Sequence, residues 1–375
     1  MAFIDTARLY TGISSLIGWE GVTGLDTTES GEYYNLDYLP IDTDVIEAII
    51  PTDKPLDEYL QERTKSGVVY LANKLKNHKV LKRAAKSQLS NFVLFPNGGW
   101  KKNTISKSSR FCGISFTLNH ETGLKAILEK IGLQLSQINT DLTIYLYHTS
   151  QEAPITTFDI TTTSANSFYW KTDSPIDLYA DSDTLTGGTY FLGYYEDDLA
   201  GNAIKFKTGY FNFNTGYCAS CGYAQLSKQY RKAMNFMRIM PFYVDQEDYT
   251  VNEMFDIEDV KFVSDNNFGF NIGLTVECDI TNYLIQTRRQ LTTALGNAVA
   301  YKILKGVEYS FENNFVKDEM RGSVQVEMNG TTDEQVDTIG KQIMDAVDAL
   351  TIDQAELGSV CLPCYKKGGV KYGAA

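Results

Sequence analysis

Leu142-Thr143-Ile144-Tyr145-Leu146-Tyr147-His148 decides the fold class, because its apolar side chains fall on alternate residues. Leu142, Ile144, Leu146 and His148 point to one side of an extended chain, and Thr143, Tyr145 and Tyr147 point to the other. That period is the mark of a half-buried strand. Working outward, β-rich runs recur at Ile155 to Ile160, Ser167 to Lys171, Thr189 to Tyr195 and Ala203 to Lys207. Asp173-Ser174-Pro175 and Gly187-Gly188 supply turns between them. Short strands punctuated in this way predict an antiparallel β-sandwich, jelly-roll-like, over residues 104–212.

The period changes on both flanks. Ahead of the break at Pro96-Asn97-Gly98-Gly99, the residues Leu56, Leu60, Val68, Leu71, Ala72 and Leu75 recur at helical spacing behind Pro55. They predict a helix from Leu56 to Asn77, followed by a short one over Lys79 to Leu89. The first forty residues are rich in Gly, Thr and Tyr, and Glu32 to Tyr38 has no helical period, so an extended arm is expected there. After the sandwich, Phe268 to Glu277 reads as a strand and Asp279 to Lys305 as one amphipathic helix. Ser323 to Met328 alternates like a strand, and Thr332 with Gln335 forms a capping box ahead of Val336, Ile339, Ile343, Val347 and Leu350. The expected fold is therefore α+β, in three parts. These are an N-terminal arm and helical region at 1–95, the β-sandwich domain at 96–215 and a C-terminal α/β region at 216–375.

Composition narrows the function classes. An apolar fraction of 43% and a charged fraction of 22% describe a chain that packs cores rather than a disordered one. A formal charge of -13 argues against general nucleic-acid binding, which draws on clustered Lys and Arg. The stretch from Arg63 to Lys86 is a local exception, with Lys65, Lys74, Lys76, Lys79, Lys82 and Arg83 and no acidic residue. It reads as a solvated helix face, or as a dock for an acidic neighbouring subunit. Met1 to Tyr10 lacks the apolar core of a secretory signal, and no run approaches the ~18 apolar residues of a membrane span. Synthesis in a cytoplasm, with no membrane partner, is expected. Cysteines 112, 218, 221, 278, 361 and 364 then read as thiols or metal ligands rather than disulfides.

No catalytic set emerges. His78, His120 and His148 share no local motif, and each reads as a surface or structural residue. The sequence has no nucleophile elbow, phosphate loop or dinucleotide fingerprint, so no enzyme is expected. Asp181-Ser182-Asp183 and Glu196-Asp197-Asp198 read as solvated loops, with calcium ligation or a glycosidase carboxylate pair as alternatives. The 24 tyrosines and three tryptophans fit a sugar-binding face, a protein interface or a β core equally. One constellation has metal-ligand spacing, Cys218 and Cys221 with Cys361 and Cys364. Each C-x-x-C knuckle turns two thiolates towards one ion, and two knuckles complete a tetrahedral structural zinc shell; a redox dithiol is the other reading.

The ending Val360-Cys361-Leu362-Pro363-Cys364 with Gly369-Val370-Lys371-Tyr372-Gly373 resembles that of uncharacterised virion structural proteins, neck or tail type, of tailed bacteriophages and prophages of Bacteroidota. Gly21 to Asp26, Lys130 to Gln134, Ala165 to Phe168, Pro241 to Val244 and Val276 to Asp279 fit the same pattern. The resemblance implies a subunit of the neck, tail or baseplate, used in several symmetric copies and located in the virion. It implies as partners copies of itself in a ring and other neck or tail proteins. A carbohydrate-binding adhesin module and a glycoside hydrolase are the alternatives that the composition leaves open.

Overall fold

The computed structural model describes residues 3–48, 50, 54–81, 87–95, 103–119, 123–172, 175–180, 187–205, 211–215, 217–218, 224–310, 324–328 and 338–352. At residues 87, 88, 211, 217, 218, 224–228, 309 and 310 it describes the backbone alone. The fold is α+β with sandwich-like antiparallel sheets, as the alternating sequence predicts. The chain divides into two compact units rather than three consecutive segments. One is discontinuous and joins Met1–Lys86 to Asp279–Ala375; the other is Ser87–Cys278.

The Ser87–Cys278 unit holds all thirteen strands described: β1 Ser87–Val93, β2 Phe111–Leu118, β3 Leu124–Gln134, β4 Leu142–His148, β5 Thr156–Ile160, β6 Phe168–Lys171, β7 Ile176–Tyr179, β8 Tyr190–Tyr195, β9 Phe211–Asn212, β10 Tyr217–Cys218, β11 Met237–Val244, β12 Lys261–Phe262 and β13 Phe270–Cys278. A six-stranded sheet runs β12-β11-β2-β8-β4-β5, and a second runs β1-β13-β3-β6 with β7 also paired to β3. Tyrosines join the two sheets. The Tyr194 hydroxyl on β8 donates to the Phe268 carbonyl at 2.8 Å while its ring stacks on Phe270 of β13 at 5.3 Å. The Tyr190 hydroxyl donates to the carbonyl of Tyr179, the last residue of β7, at 3.0 Å. The facing sides carry Ile114, Phe116, Ile144, Leu146 and Leu192 from one sheet and Ile272 and Leu274 from the other, all fully buried. Burying such a side chain contributes about 1.5–3 kcal/mol, so this interior is the main source of stability.

Between β2 and β8 the chain needs glycine. Gly113 pairs with Gly193, a Cβ on Gly113 would overlap the Leu192 carbonyl, and one on Gly193 would lie 2.7 Å from Phe111 Cζ. Strands 4, 5, 6 and 8 fall where the sequence places them. Ala203 and Ile204 form only isolated bridges, Lys205 belongs to no strand, and Phe206 and Lys207 lie outside the described residues. The sandwich is wider than 104–212, because β1, β11 and β13 belong to it.

The discontinuous unit is helical. Its helices, with α4 Ala224–Met234 of the other unit completing the count, are α1 Thr6–Ile13, α2 Thr43–Glu47, α3 Leu56–Leu75, α5 Thr281–Gln286, α6 Thr292–Ser310, α7 at residues 324–328 and α8 Ile339–Asp348. The expected arm is instead α1, capped by Asp5 Oδ1 accepting from Ala7 N and Arg8 N, and Tyr34–Tyr38 closes one π-helical turn. Ser87 to Leu89 is strand rather than helix. The single helix expected from Asp279 to Lys305 is interrupted, because Thr287 leaves helical geometry and its hydroxyl donates to the Tyr283 carbonyl at 2.8 Å. Residues 324–328 are helical, so their alternation misled; Ser323 lies outside the described residues. Thr332 and Gln335 lie outside them too, and the N-cap of α8 is Thr338, whose hydroxyl accepts from Lys341 N at 3.2 Å. Helix α3 packs on α6 at Gly67, where an added Cβ would sit 2.9 Å from the Val299 Cα.

Candidate functional site

The outer side of the six-stranded sheet is aromatic. Strand alternation puts Phe111, Tyr145, Tyr147, Phe191, Tyr195 and Phe242 on that side, opposite the sandwich interior. The chain after β11 lies across them and inserts Tyr249, Met254, Phe255 and Val260. Phe255 meets Phe191 at 5.1 Å and Phe111 at 5.5 Å, and Tyr249 meets Tyr195 at 5.0 Å. Hydroxyls tie the cluster together. Tyr147 and Tyr195 share a hydrogen bond of 2.9 Å, Asn252 N donates to the Tyr195 hydroxyl at 3.3 Å, and Tyr249 donates to the Ser109 carbonyl at 3.1 Å. Burial raises the Tyr147 and Tyr195 hydroxyls and pushes Tyr249 up to about 12. They stay neutral and act as hydrogen-bond donors.

This clamp displays an acidic surface. From Asp245 to Asp259 the chain has no Lys or Arg and carries Glu247, Asp248, Glu253, Asp256, Glu258 and Asp259 besides Asp245, which pairs with Lys261. Val251 and Ile257 stand 52% and 54% exposed among these acids. A segment anchored by four buried or half-buried side chains yet apolar and anionic outside has the make-up of a contact surface. The sequence reading missed it, although a run of acids without a base is a legible signal.

A second surface, in the helical unit, gathers cations. Tyr70 of α3 stacks on Tyr301 of α6 at 5.1 Å, and the ammonium groups of Lys74 and Lys302 lie 5.1 and 4.9 Å from the Tyr70 ring. Lys305 stands 6.0 Å from the Tyr301 ring, and Arg63 covers Tyr59 at 4.7 Å. Among the described residues no carboxylate lies within ion-pair distance of Arg63, Lys74 or Lys302. Burial lowers the Lys302 ammonium below its usual range, and the charges of Lys305 and Arg63 push it further. Only part of the basic stretch from Arg63 to Lys86 belongs here. Lys65 is nine residues from Lys74 and falls on the opposite side of the helix. Lys82, Arg83 and Lys86 lie outside the described residues.

The acidic candidates resolve differently. Glu196 is buried and accepts from Ser108 N at 2.8 Å, and from Arg110 Nε at 3.0 Å and Arg110 Nη2 at 2.8 Å. The Arg110 guanidinium lies over the Tyr243 and Phe268 rings at 5.0 and 5.6 Å. A carboxylate held this way has its lone pairs committed to structure. Asp197 accepts from Ser109 Oγ at 2.9 Å, and burial followed by the charge of Asp197 raises Asp198. Asp181 and Asp183 lie outside the described residues.

The histidines divide the same way. His148 is fully buried, its Nδ1 2.7 Å from Ser150 Oγ and its ring 4.5 Å from that of Tyr190. His78 is buried at the end of α3, where Nδ1 accepts from Val80 N at 3.3 Å. Burial lowers both. His120 lies outside the described residues.

The zinc residues are not brought together by the described structure. Cys221, Cys361 and Cys364 lie outside it, and Cys218 is described only as backbone in β10. Among the described residues no group of His, Cys, Asp and Glu is placed to hold a metal. Cys112 is free and buried, its thiol raised well above the ordinary range by burial and then by Glu196, which makes it unreactive. Cys278 is disulfide-bonded, which corrects the reading of every cysteine as thiol or ligand. Among the described residues no helix is long and apolar enough to cross a membrane.

Compared with known proteins, the chain matches no family model, no curated protein and no solved structure.

Proposed function

We propose that the chain is a structural, non-enzymatic subunit of a tailed bacteriophage virion, a homo-oligomeric ring component of the neck or tail. Its partners on this reading are copies of itself and other neck or tail proteins, and its assembly takes place in the cytoplasm of the host bacterium. The observation that carries the reading is the aromatic clamp, whose tyrosines and phenylalanines hold an acidic, partly apolar segment as a fixed outer surface. Within the sandwich unit Glu196 is committed to Arg110 and the buried tyrosines stay protonated, so these side chains serve packing. The resemblance of the Val360 to Cys364 and Gly369 to Gly373 stretches adds the virion context.

Structural zinc on Cys218, Cys221, Cys361 and Cys364 belongs to the same proposal. A shell of four protein sulfurs leaves no position for substrate, so the ion would fasten the chain rather than catalyse. Since Cys112 is free and Cys278 is bonded, the four-cysteine shell and that bond exclude each other within one chain, and the zinc proposal applies to the chain with the Cys278 bond reduced.

Immunogold labelling of purified particles, with mass spectrometry of the same preparation, tests the assignment. Gold on the neck or tail with peptides of the chain in the particle is the expected result. Label absent from particles while the protein is abundant in infected cells overturns it.

A further inference from the structure

The helical unit keeps positive charge that its own described acids leave unmatched. Lys74 and Lys302 lie against the ring of Tyr70 in its stack with Tyr301, Arg63 covers Tyr59, and none of the three has a described carboxylate within ion-pair distance, in a chain whose net charge is -13. Like charges brought together at half-buried positions cost free energy when the chain is alone. Burial first, and then the charges of Lys305 and Arg63, hold the Lys302 ammonium below its usual range. Such a face is stabilised when an acidic partner covers it, because the attraction grows as water leaves.

The same chain carries a partner of matching chemistry. Glu247, Asp248, Glu253, Asp256, Glu258 and Asp259 lie on the segment fixed by the aromatic clamp, with Val251 and Ile257 exposed between them. Tyrosine rings offer those aliphatic side chains an apolar contact, and the ammonium groups beside the rings meet carboxylates. Neither surface needs to order a flexible segment in order to bind. One lies on two packed helices and the other on a packed cluster, so the entropy lost on docking is small.

We propose that the tyrosine-bearing basic face of α3 and α6 is the docking surface for the acidic 245–259 segment of a second copy of this chain. The proposal rests on the reading of the protein as a self-assembling subunit and names the two faces that meet. They differ, so the contact is heterologous and closes into a ring when its rotation allows. Nucleic acid would also seek a basic face with tyrosines. The second copy is favoured because a counter-surface of opposite charge and suitable apolar content exists on the chain itself.

Charge-swap complementation of the full chain tests this. The Lys74→Glu/Lys302→Glu variant makes the basic face acidic, and Glu253→Lys/Glu258→Lys makes the acidic segment basic. Wild type should self-associate in sedimentation velocity at about 50 mM salt and less at about 500 mM, where the screening length shortens. Each variant alone should associate at least about tenfold more weakly, with its melting temperature kept near wild type. An equimolar mixture should recover association, because each altered face then meets a partner of opposite sign. The milder Lys74→Gln/Lys302→Gln variant should fall between, and it serves if the charge reversal unfolds the helices.

Variants that associate as wild type does, a mixture no better than its components, or a wild type that stays monomeric would each overturn the docking. Short duplex DNA bound by wild type and lost in the Lys74→Glu/Lys302→Glu variant, with self-association unchanged, would reassign the face to nucleic acid. Particle labelling reads the virion assignment independently, so labelled particles built from variants that assemble normally would sink only the docking.

Discussion

Replacing Glu196 by Ala should destabilise the sandwich unit more than any other single change to an acidic side chain. The carboxylate is 2% exposed and receives hydrogen bonds from Ser108 N, Arg110 N, Arg110 Nε and Arg110 Nη2. Removing it leaves a guanidinium between the Tyr243 and Phe268 rings with its charge uncompensated. Breaking a buried pair from one side costs about 3–5 kcal/mol, and that figure already contains most of the loss at the two backbone amides. For a unit of this size each kcal/mol moves the midpoint by roughly 2–4 °C, so a fall of about 6–20 °C is expected. Differential scanning calorimetry of Glu196→Ala against wild type measures it. The double variant Glu196→Leu/Arg110→Met removes both charges and should recover at least half of the loss. A fall below about 2 °C, or a double variant as damaged as the single one, would show that the pair is not buried as described.

Three further outcomes follow from particular contacts. Burial holds His148 below its ordinary value, so in the window up to about 6.5 the unfolded chain binds a proton that the fold excludes. Stability should therefore fall as pH drops from about 7 to about 5. Urea midpoints of His148→Gln should vary less with pH than those of wild type, and equal slopes would refute the assignment. Gly67→Ala would place a Cβ 2.6 Å from Val299 Cγ2 and should cost about 1–3 kcal/mol by overpacking α3 on α6, read by thermal unfolding. If the four-cysteine zinc shell forms, elemental analysis of particles should give one zinc per chain, and Cys361→Ser/Cys364→Ser should release it. Metal-free particles in which a non-reducing peptide map keeps Cys278 linked would rule the shell out.

The strand whose period reads most plainly has one face in the sandwich and one half-exposed. In β4 Leu142, Ile144 and Leu146 are buried and Thr143 and Tyr145 are half-exposed, and the alternation ends where Tyr147 is buried under the aromatic clamp. β2 buries both faces, one on the sandwich interior and one under the aromatic clamp, so the apolar run Phe111 to Leu118 carries no period to read. Tertiary contacts rather than propensity shape Tyr34–Tyr38, whose π-helical turn packs on α6 at Gly296 and Tyr38. At α5 the break comes from one threonine hydroxyl, a signal too local for a periodicity test.

Domain boundaries were hidden for a topological reason. β1 opens the sandwich unit at Ser87, β13 closes it at Cys278, and the two strands pair antiparallel with Ser87 opposite Glu277. The chain therefore leaves the helical unit and returns to it at neighbouring points, the condition under which a whole unit is inserted with little disturbance to its host. A reading that runs from end to end sees three segments and assigns β13 to the last of them, although its longest pairing is with β3 in the middle of the sandwich. The same insertion scatters the cationic face. Arg63 and Lys74 come from before the sandwich and Lys302 and Lys305 from after it, so half the cluster was legible as a basic helix while its meaning was not. Charges that meet only after folding are the ones a sequence conceals best. The tyrosine stack that brings them together is therefore the feature to disturb first, and Tyr301→Ala should spread the lysines and weaken self-association even though it removes no charge.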